Sequence, residues 1–241
     1  MNNSLILLQG FRLLLKPKIR HFVIWPLLLN ILIFAGLVYG AYYLGLYAQQ
    51  QSLAFLPSWL SYISWLIWPV IVLLVLLCLL YGFSVLANLI AAPFNAFLSE
   101  AVEEHYGFIE AGQSSIQQLL LSIPASIGRE LQKLLYSLPW WLLAFVVSFV
   151  PILNILSLVI AAWLMAIQYM DYPADNHRIR FKTSLQLLRQ RRLLLLPFGG
   201  SILLASLVPI INLLTMPAAV CAATILWHQA GFQQKSLLIA R

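Results

Sequence analysis

The string Lys16-Pro17-Lys18-Ile19-Arg20-His21 gathers three cations and an imidazole immediately ahead of an apolar run that opens at Phe22. If a helix starts at Pro17, its first backbone N–H groups and the positive end of its dipole point to the same place. Lys18, Arg20 and His21 then add charge-assisted donors, and the set suits a tetrahedral oxyanion. Composition alone favours another partner for the same residues, the phosphates of lipid headgroups, which basic residues at the cytoplasmic end of a membrane helix usually meet.

Three further islands could carry chemistry. Glu100, Glu103, Glu104 and His105 follow Ala91-Ala92-Pro93-Phe94-Asn95 on an expected helix, with Glu100 and Glu104 on one face. A Glu-x-x-His metal motif would need Glu three residues before His105, where Val102 stands, so no metal is expected there. Arg129, Glu130 and Lys133 lie on an amphipathic helix expected over 115–138. They could pair with the Glu cluster, meet headgroups, or form an ionic network along a pathway. In Asp171-Tyr172-Pro173-Ala174-Asp175-Asn176-His177, residues Asp175, Asn176 and His177 are expected to cap the next helix, a proton relay being the other option. Glu103, Glu104, His105, Asp171, Asp175 and His177 can all titrate, and the sequence ranks none above the rest.

Enzyme chemistry finds no constellation. Gly199-Gly200-Ser201 lacks a following Gly, His-Glu-x-x-His is absent, and no Gly-rich loop precedes a helix, so neither an enzyme nor a cofactor is expected. Cys78 and Cys221 sit singly in apolar runs and read as small apolar residues.

The elements that must position these islands follow from the charge map. From His21 to Ser99 the chain has no Asp, Glu, Lys or Arg, and charged residues make up only 9% of its 241 residues. A solvated fold cannot leave such a run uncharged, so the chain is expected to be a single membrane domain over 1–241. Its 14 Lys and Arg outnumber 7 Asp and Glu. They flank apolar runs without forming a stripe among exposed aromatics, which argues for positive-inside anchoring and against nucleic acid.

Ser4 to Lys16 carries Arg12 within its apolar stretch and no small-residue cleavage pattern follows, so an amphipathic interfacial helix over 4–16 is expected rather than a cleaved signal. Residues 22–47 and 63–92 are each long enough to cross a core about 30 Å thick and read as two long transmembrane helices. The polar, uncharged Ala48 to Tyr62 reads as an outside loop.

Residues 139–170 and 193–228 read differently, because they repeat each other. Ser148-Phe149-Val150-Pro151-Ile152-Leu153-Asn154-Ile155-Leu156 matches Ser206-Leu207-Val208-Pro209-Ile210-Ile211-Asn212-Leu213-Leu214 in its Ser, Val, Pro, first Ile, Asn and last Leu. A mid-block Pro followed by Asn predicts a tight apolar turn. From Trp140 to Val150, about 16 Å of helix, the limb would reach only about halfway through the core. If the first block crossed once, Arg178, Arg180, Lys182, Arg189, Arg191 and Arg192 would lie opposite Arg12, Lys16, Lys18, Arg20, Arg129 and Lys133, against the positive-inside rule. The expected fold is therefore an all-α integral membrane protein with two long transmembrane helices, two re-entrant, partly inserted helical hairpins and amphipathic interfacial helices.

Ala91-Ala92-Pro93-Phe94-Asn95, Arg129-Glu130-x-Gln132-Lys133, Met165-Ala166-Ile167-Gln168, Gln168-Tyr169-Met170 running into Asp171 to His177, and Met216-Pro217-x-Ala219-Val220-Cys221 together resemble the CysZ sulfate permease family over nearly the whole chain. The resemblance implies a bacterial inner-membrane protein that takes up sulfate for cysteine biosynthesis, described as proton-dependent and assembled as a homo-oligomer among membrane lipids. The family's Gly-x-Arg-Arg sulfate-binding run falls on Lys18, Ile19, Arg20 and His21, with Lys18 in place of the glycine and His21 in place of the second arginine. Arg20 is the first sulfate ligand this resemblance points to. A non-transporting scaffold that wedges one leaflet, or a permease for another oxyanion, would share the composition.

Overall fold

The computed structural model describes residues 6–55, 64–110 and 116–232. All regular elements among them are helices: α1 (Ile6–Leu14), α2 (Pro17–Phe55), α3 (Ser64–His105), α4 (Ile116–Ser148), α5 (Asn154–Asn176), α6 (Phe181–Gln190), α7 (Arg192–Ser206) and α8 (Pro209–Gln229). They fall into two compact units, one of Ile24–Ala91 and one of Met1–Val23 with Ala92–Arg241.

The Ile24–Ala91 unit contains the apolar lengths of α2 and α3. Its outward side chains include Trp25, Leu32, Tyr39, Val72, Leu73 and Leu76, a surface suited to lipid and not to water. Phe34 and Phe83 join the two helices with ring centroids 5.0 Å apart. Both helices outrun the expected spans. With 39 residues, α2 is roughly 58 Å long. It starts at Pro17 instead of 22 and continues through Gln49, Gln50, Gln51 and Ser52, because uncharged Gln and Ala carry a helix without strain. The remainder of the expected outside loop, 56–62, and the first residue of the 63–92 span lie outside the described residues. Likewise, α3 passes through Pro93, sacrificing one backbone bond, and stops at Gly107 with φ 71°, where Gly107 N–H bonds Glu104 O and Phe108 N–H bonds Glu103 O.

In the other unit, α1 packs along α8, and α5 is central, touching α4, α6, α7 and α8. The core is built from Ile167, Met170, Leu195, Phe198, Ile202, Ala218, Ala222 and Trp227. Small residues set its spacing, since lipid tails are as apolar as Leu and close contact must supply the attraction. A Cβ on Gly10 would lie 2.1 Å from Ala218 O, and one on Gly199 1.8 Å from Ala162 O. Consequently Ile6, Leu7, Leu13 and Leu14 are covered by protein. Gln9 and Arg12 stay exposed on the opposite face, so the helix is amphipathic; residues 4 and 5 of the expected 4–16 range are outside the described set.

The two apolar blocks bend back. α4 ends at Ser148, whose hydroxyl donates to Phe145 O at 2.7 Å, and α5 begins at Asn154, whose N–H bonds Val150 O. In the second block the break is shorter: Val208 is extended and Pro209 is the first residue of α8, so Asn212 lies inside the helix, not in the turn. A further boundary differs from expectation. α4 runs unbroken through Pro124 and Pro139, so the amphipathic helix and the first hairpin limb are a single element.

The close approach at Gly199 has a direct test. Gly199→Ala is expected to lower the thermal midpoint in detergent, costing at least ~2 kcal/mol by overpacking. Gly200→Ala, whose Cβ meets nothing within 4 Å, should leave it unchanged. Equal midpoints for both variants would contradict the α5–α7 packing.

Candidate functional site

Three charged islands that lie far apart in the chain, around Glu103, Arg129 and Asp171, come together where α4 and α5 have their polar ends. Arg129 on α4 holds Asp171 on α5 through two parallel bonds, Nε to Oδ2 and Nη2 to Oδ1, each 2.7 Å. Its Nη1 donates to Ile179 O at 2.8 Å and stands 3.8 Å from Asp175 Oδ1. Side-chain exposure is 11% for Arg129 and 1% for Asp171, so the pair is desolvated and each partner depends on the other.

Lys133, one turn further along α4, is buried with Glu130. Lys133 Nζ lies 2.6 Å from Glu130 Oε2 and 3.9 Å from the centre of the Tyr172 ring. Gln168 donates to the other Glu130 oxygen. Asn95, just past Pro93 on α3, donates to the Tyr172 hydroxyl at 3.2 Å, and that hydroxyl faces Glu130 Oε2 at 3.4 Å. Ala92, Ala96 and Ser126 close the remaining sides, leaving no void large enough for a water molecule. Both cations are committed to carboxylates, so the network is a latch of paired charges between α4 and α5.

The end of α5 supports this geometry by a strained turn. Arg178 has φ 55°, a left-handed conformation that costs a non-glycine residue about 1–2 kcal/mol. In return Arg178 N–H reaches Asp175 O and Ile179 N–H reaches Ala174 O, which ends the helix and presents Ile179 O to Arg129. Asp175, Asn176 and His177 therefore finish α5. They do not cap α6, whose start has Arg180 and no side-chain cap, because their side chains are drawn to Arg129, Ala96 O and Glu103.

A second group adjoins the first. Glu103 Oε1 on α3 meets Nε2 of His177 at 2.9 Å and Nε2 of His228, near the end of α8, at 2.7 Å. Burial pushes the Glu103 carboxyl up, but the hydrogen bonds and charge of the two imidazoles outweigh it and hold it below its usual value. Beside it, the hydroxyls of Ser99 and Thr224 bond at 2.8 Å and tie α3 to α8 again.

The expected residues divide accordingly. Glu103, Arg129, Glu130, Lys133, Asp171, Asp175 and His177 are brought together. Glu104 and His105 are exposed on the far side of α3, with His105 edge-on to Tyr106. Of the oxyanion candidates, Lys18, Arg20 and His21 are exposed in the first turns of α2, while Ile19 is wholly buried and anchors them. Ile19 and Arg20 N–H both bond Lys16 O and Pro17 has no N–H, so Lys18 carries the remaining early amide. Arg129 does not pair with the Glu cluster around Glu100–Glu104, one of the options its sequence left open; its partner is on α5. His228, Asn95, Gln168 and Tyr172 were not foreseen as site residues. The available signal for His228 was a lone imidazole closing a long apolar stretch.

Comparison with known proteins follows the same residues. The family model described as sulfate transporter CysZ/etoposide-induced protein 2.4 matches residues 6–217. The chain is 45% identical over 224 residues to a sulfate transporter CysZ of Pseudomonas syringae pv. tomato, covering 91% of this chain and 88% of that one. It is 47% identical to the protein of that name from Pseudomonas fluorescens SBW25, with 91% and 88% covered, and 41% identical to that of Pectobacterium atrosepticum, with 90% and 81% covered.

The latch is expected to show strong coupling. Arg129→Ala or Asp171→Ala alone should cost about 3–5 kcal/mol by leaving a buried charge unpaired, and the double variant clearly less than the sum. Additive losses in a double-mutant unfolding cycle would show that the two side chains do not depend on each other.

Proposed function

Since the chain belongs to the sulfate transporter CysZ/etoposide-induced protein 2.4 family, we propose that it transports sulfate across the membrane, with the start of α2 as the place where the anion is first held. The carrying observation is a relationship at 41–47% identity spanning about nine-tenths of the chain, the relatives cited above all being bacterial proteins named sulfate transporters. The protein is a multi-pass membrane protein. Location in the bacterial inner membrane, proton dependence, supply of sulfate to cysteine biosynthesis and homo-oligomeric assembly belong to the proposal.

Exposed Lys18, Arg20 and His21 support the entry role, because they are cations or donors without a carboxylate partner in the latch. A divalent anion needs groups that attract it without trapping it, and solvent-facing donors meet that need better than the committed Arg129 and Lys133. The latch, comprising Arg129, Glu130, Lys133, Asp171 and Asp175, would act by opening, not by binding sulfate as it stands.

The same charges support an orientation with the polar ends of the hairpins, the start of α2 and the 171–192 segment in the cytoplasm. By length and composition four helices among the described residues could cross a membrane, Ile123–Ser148 and Asn154–Asn176 included. Measured from the buried ion pairs the usable lengths are shorter. From Lys133 to Ser148 is about 22 Å and from Met170 back to Asn154 about 24 Å, less than the ~30 Å core. Both hairpin tips are apolar and outward, with Ile152 84% and Leu207 71% exposed, as befits tips that stop inside the bilayer. We therefore keep the re-entrant arrangement as part of the proposal.

Two measurements test this. Purified protein in liposomes should give sulfate flux above empty vesicles, and Arg20→Ala should weaken sulfate binding more than Arg12→Ala. Absence of flux would favour a leaflet-wedging scaffold, and equal effects of the two variants would make Arg20 a headgroup anchor. For topology, a cysteine at Ile152 in a Cys78→Ala, Cys221→Ala background should resist a membrane-impermeant thiol reagent from both sides. A cysteine at Gln190 should react only from the cytoplasmic side. Labelling of the Ile152 position from outside would mean that the first hairpin crosses completely.

A further inference from the structure

Glu103, His177 and His228 have no part in the Arg129 and Lys133 pairs, and their arrangement is more convergent than a chain of hydrogen bonds requires. Both imidazoles aim Nε2 at the same carboxylate oxygen, at 2.9 and 2.7 Å. All three donor atoms lie within 4.8 Å of one another although they come from α3, the end of α5 and the end of α8. We propose that Glu103, His177 and His228 bind one first-row divalent metal ion of the zinc class, which ties the polar ends of these three helices together.

The donor set selects the ion. Two imidazole nitrogens and one carboxylate oxygen suit Zn²⁺, Co²⁺ or Ni²⁺, whereas Mg²⁺ and Ca²⁺ take oxygen almost alone. An ion held at about 2.0–2.1 Å by each ligand requires the donors to stand about 3.3 Å apart, so the two Glu103 contacts open by about half an ångström, and the two imidazole donors, within 4.8 Å of each other, settle to the same spacing. That is within the reach of side-chain rotation.

Burial and charge point the same way. Side-chain exposure is 1% for Glu103, 7% for His228 and 18% for His177, which leaves the His177 side as the way in and as the place for a water ligand. Among the described residues no Lys or Arg stands within ion-pair distance of Glu103, so this buried carboxylate has no permanent cation beside it. A divalent ion supplies one. The surroundings also orient the ligands: the Phe108 ring stacks on His228 with centroids 4.0 Å apart and planes 14° from parallel, and Asn176 Nδ2 lies 3.5 Å from Glu103 Oε2. No local motif announces the site, since its ligands are separated by 74 and 51 positions in the chain.

The test uses tag-free, full-length protein in detergent, stripped of metal by a chelator, and it reads metal uptake alone, independently of sulfate transport. Wild type should take up one Co²⁺ per chain with a visible absorption band that Zn²⁺ abolishes by displacement. Glu103→Gln and His228→Gln should each weaken Zn²⁺ affinity by at least about 100-fold, more than the loss of an outer-shell partner would. His105→Ala, removing an exposed imidazole on the same helix as Glu103, should not change it. If either ligand variant fails to fold, wild type loaded with Cu²⁺ decides the matter, because its electron paramagnetic resonance spectrum should carry coupling to two imidazole nitrogens. Failure of stripped wild type to bind Co²⁺ or Zn²⁺ at micromolar concentrations would overturn the proposal and leave a hydrogen-bonded trio. So would binding that survives both ligand substitutions, binding lost with His105, or a Cu²⁺ spectrum with fewer than two nitrogens.

Discussion

A guanidinium and a carboxylate can leave water at a membrane protein's core only if they meet each other, and Arg129 and Asp171 do so through two parallel bonds of 2.7 Å. Much else in this unit is arranged around that contact. It fixes α4 beside α5 at their polar ends, which obliges the intervening chain to turn at Phe149–Leu153 and return. It also explains a turn that would otherwise be wasteful, since the left-handed Arg178 delivers the Ile179 carbonyl as the third acceptor for the same guanidinium. Lys133, Glu130, Tyr172 and Asn95 extend the principle one turn deeper, each polar group answered by another.

The apolar contacts work under a different constraint. Where lipid competes on equal terms with Leu and Ile, helices are held by fit, and fit here is set by small residues facing backbone. Gly199 against Ala162 brings α7 to α5, and Gly10 against Ala218 brings α1 to α8. The second of these contacts gives the apolar face of α1, a short amphipathic helix, a protein partner just ahead of the cationic start of α2.

Cations in this protein consequently have two kinds of work. Those at the start of α2 face outward with their donors free of the latch, around an Ile19 that is itself buried; those on α4 are paired and closed over. The paired network spans α4 and α5 with Asn95 of α3, so a change in any one of its pairs would be felt by three helices at once.

The membrane class, the helices and the two bends were legible in the sequence, because each depends on local composition: an uncharged run from His21 to Ser99, apolar blocks of helical length, a Pro followed by Asn in a repeated string. The family was legible as well, through long irregular strings that short motifs cannot imitate. Partners were not. Nothing near Arg129 in the chain tells that its carboxylate is Asp171 instead of a Glu on α3, and nothing near Glu103 points to His228, since spacing constrains only residues a turn or two apart. The sequence by itself determined which residues must avoid lipid; only the tertiary structure decided which of them meet, because that choice belongs to helix packing, where a missing Cβ at Gly10 or Gly199 counts as much as any charge.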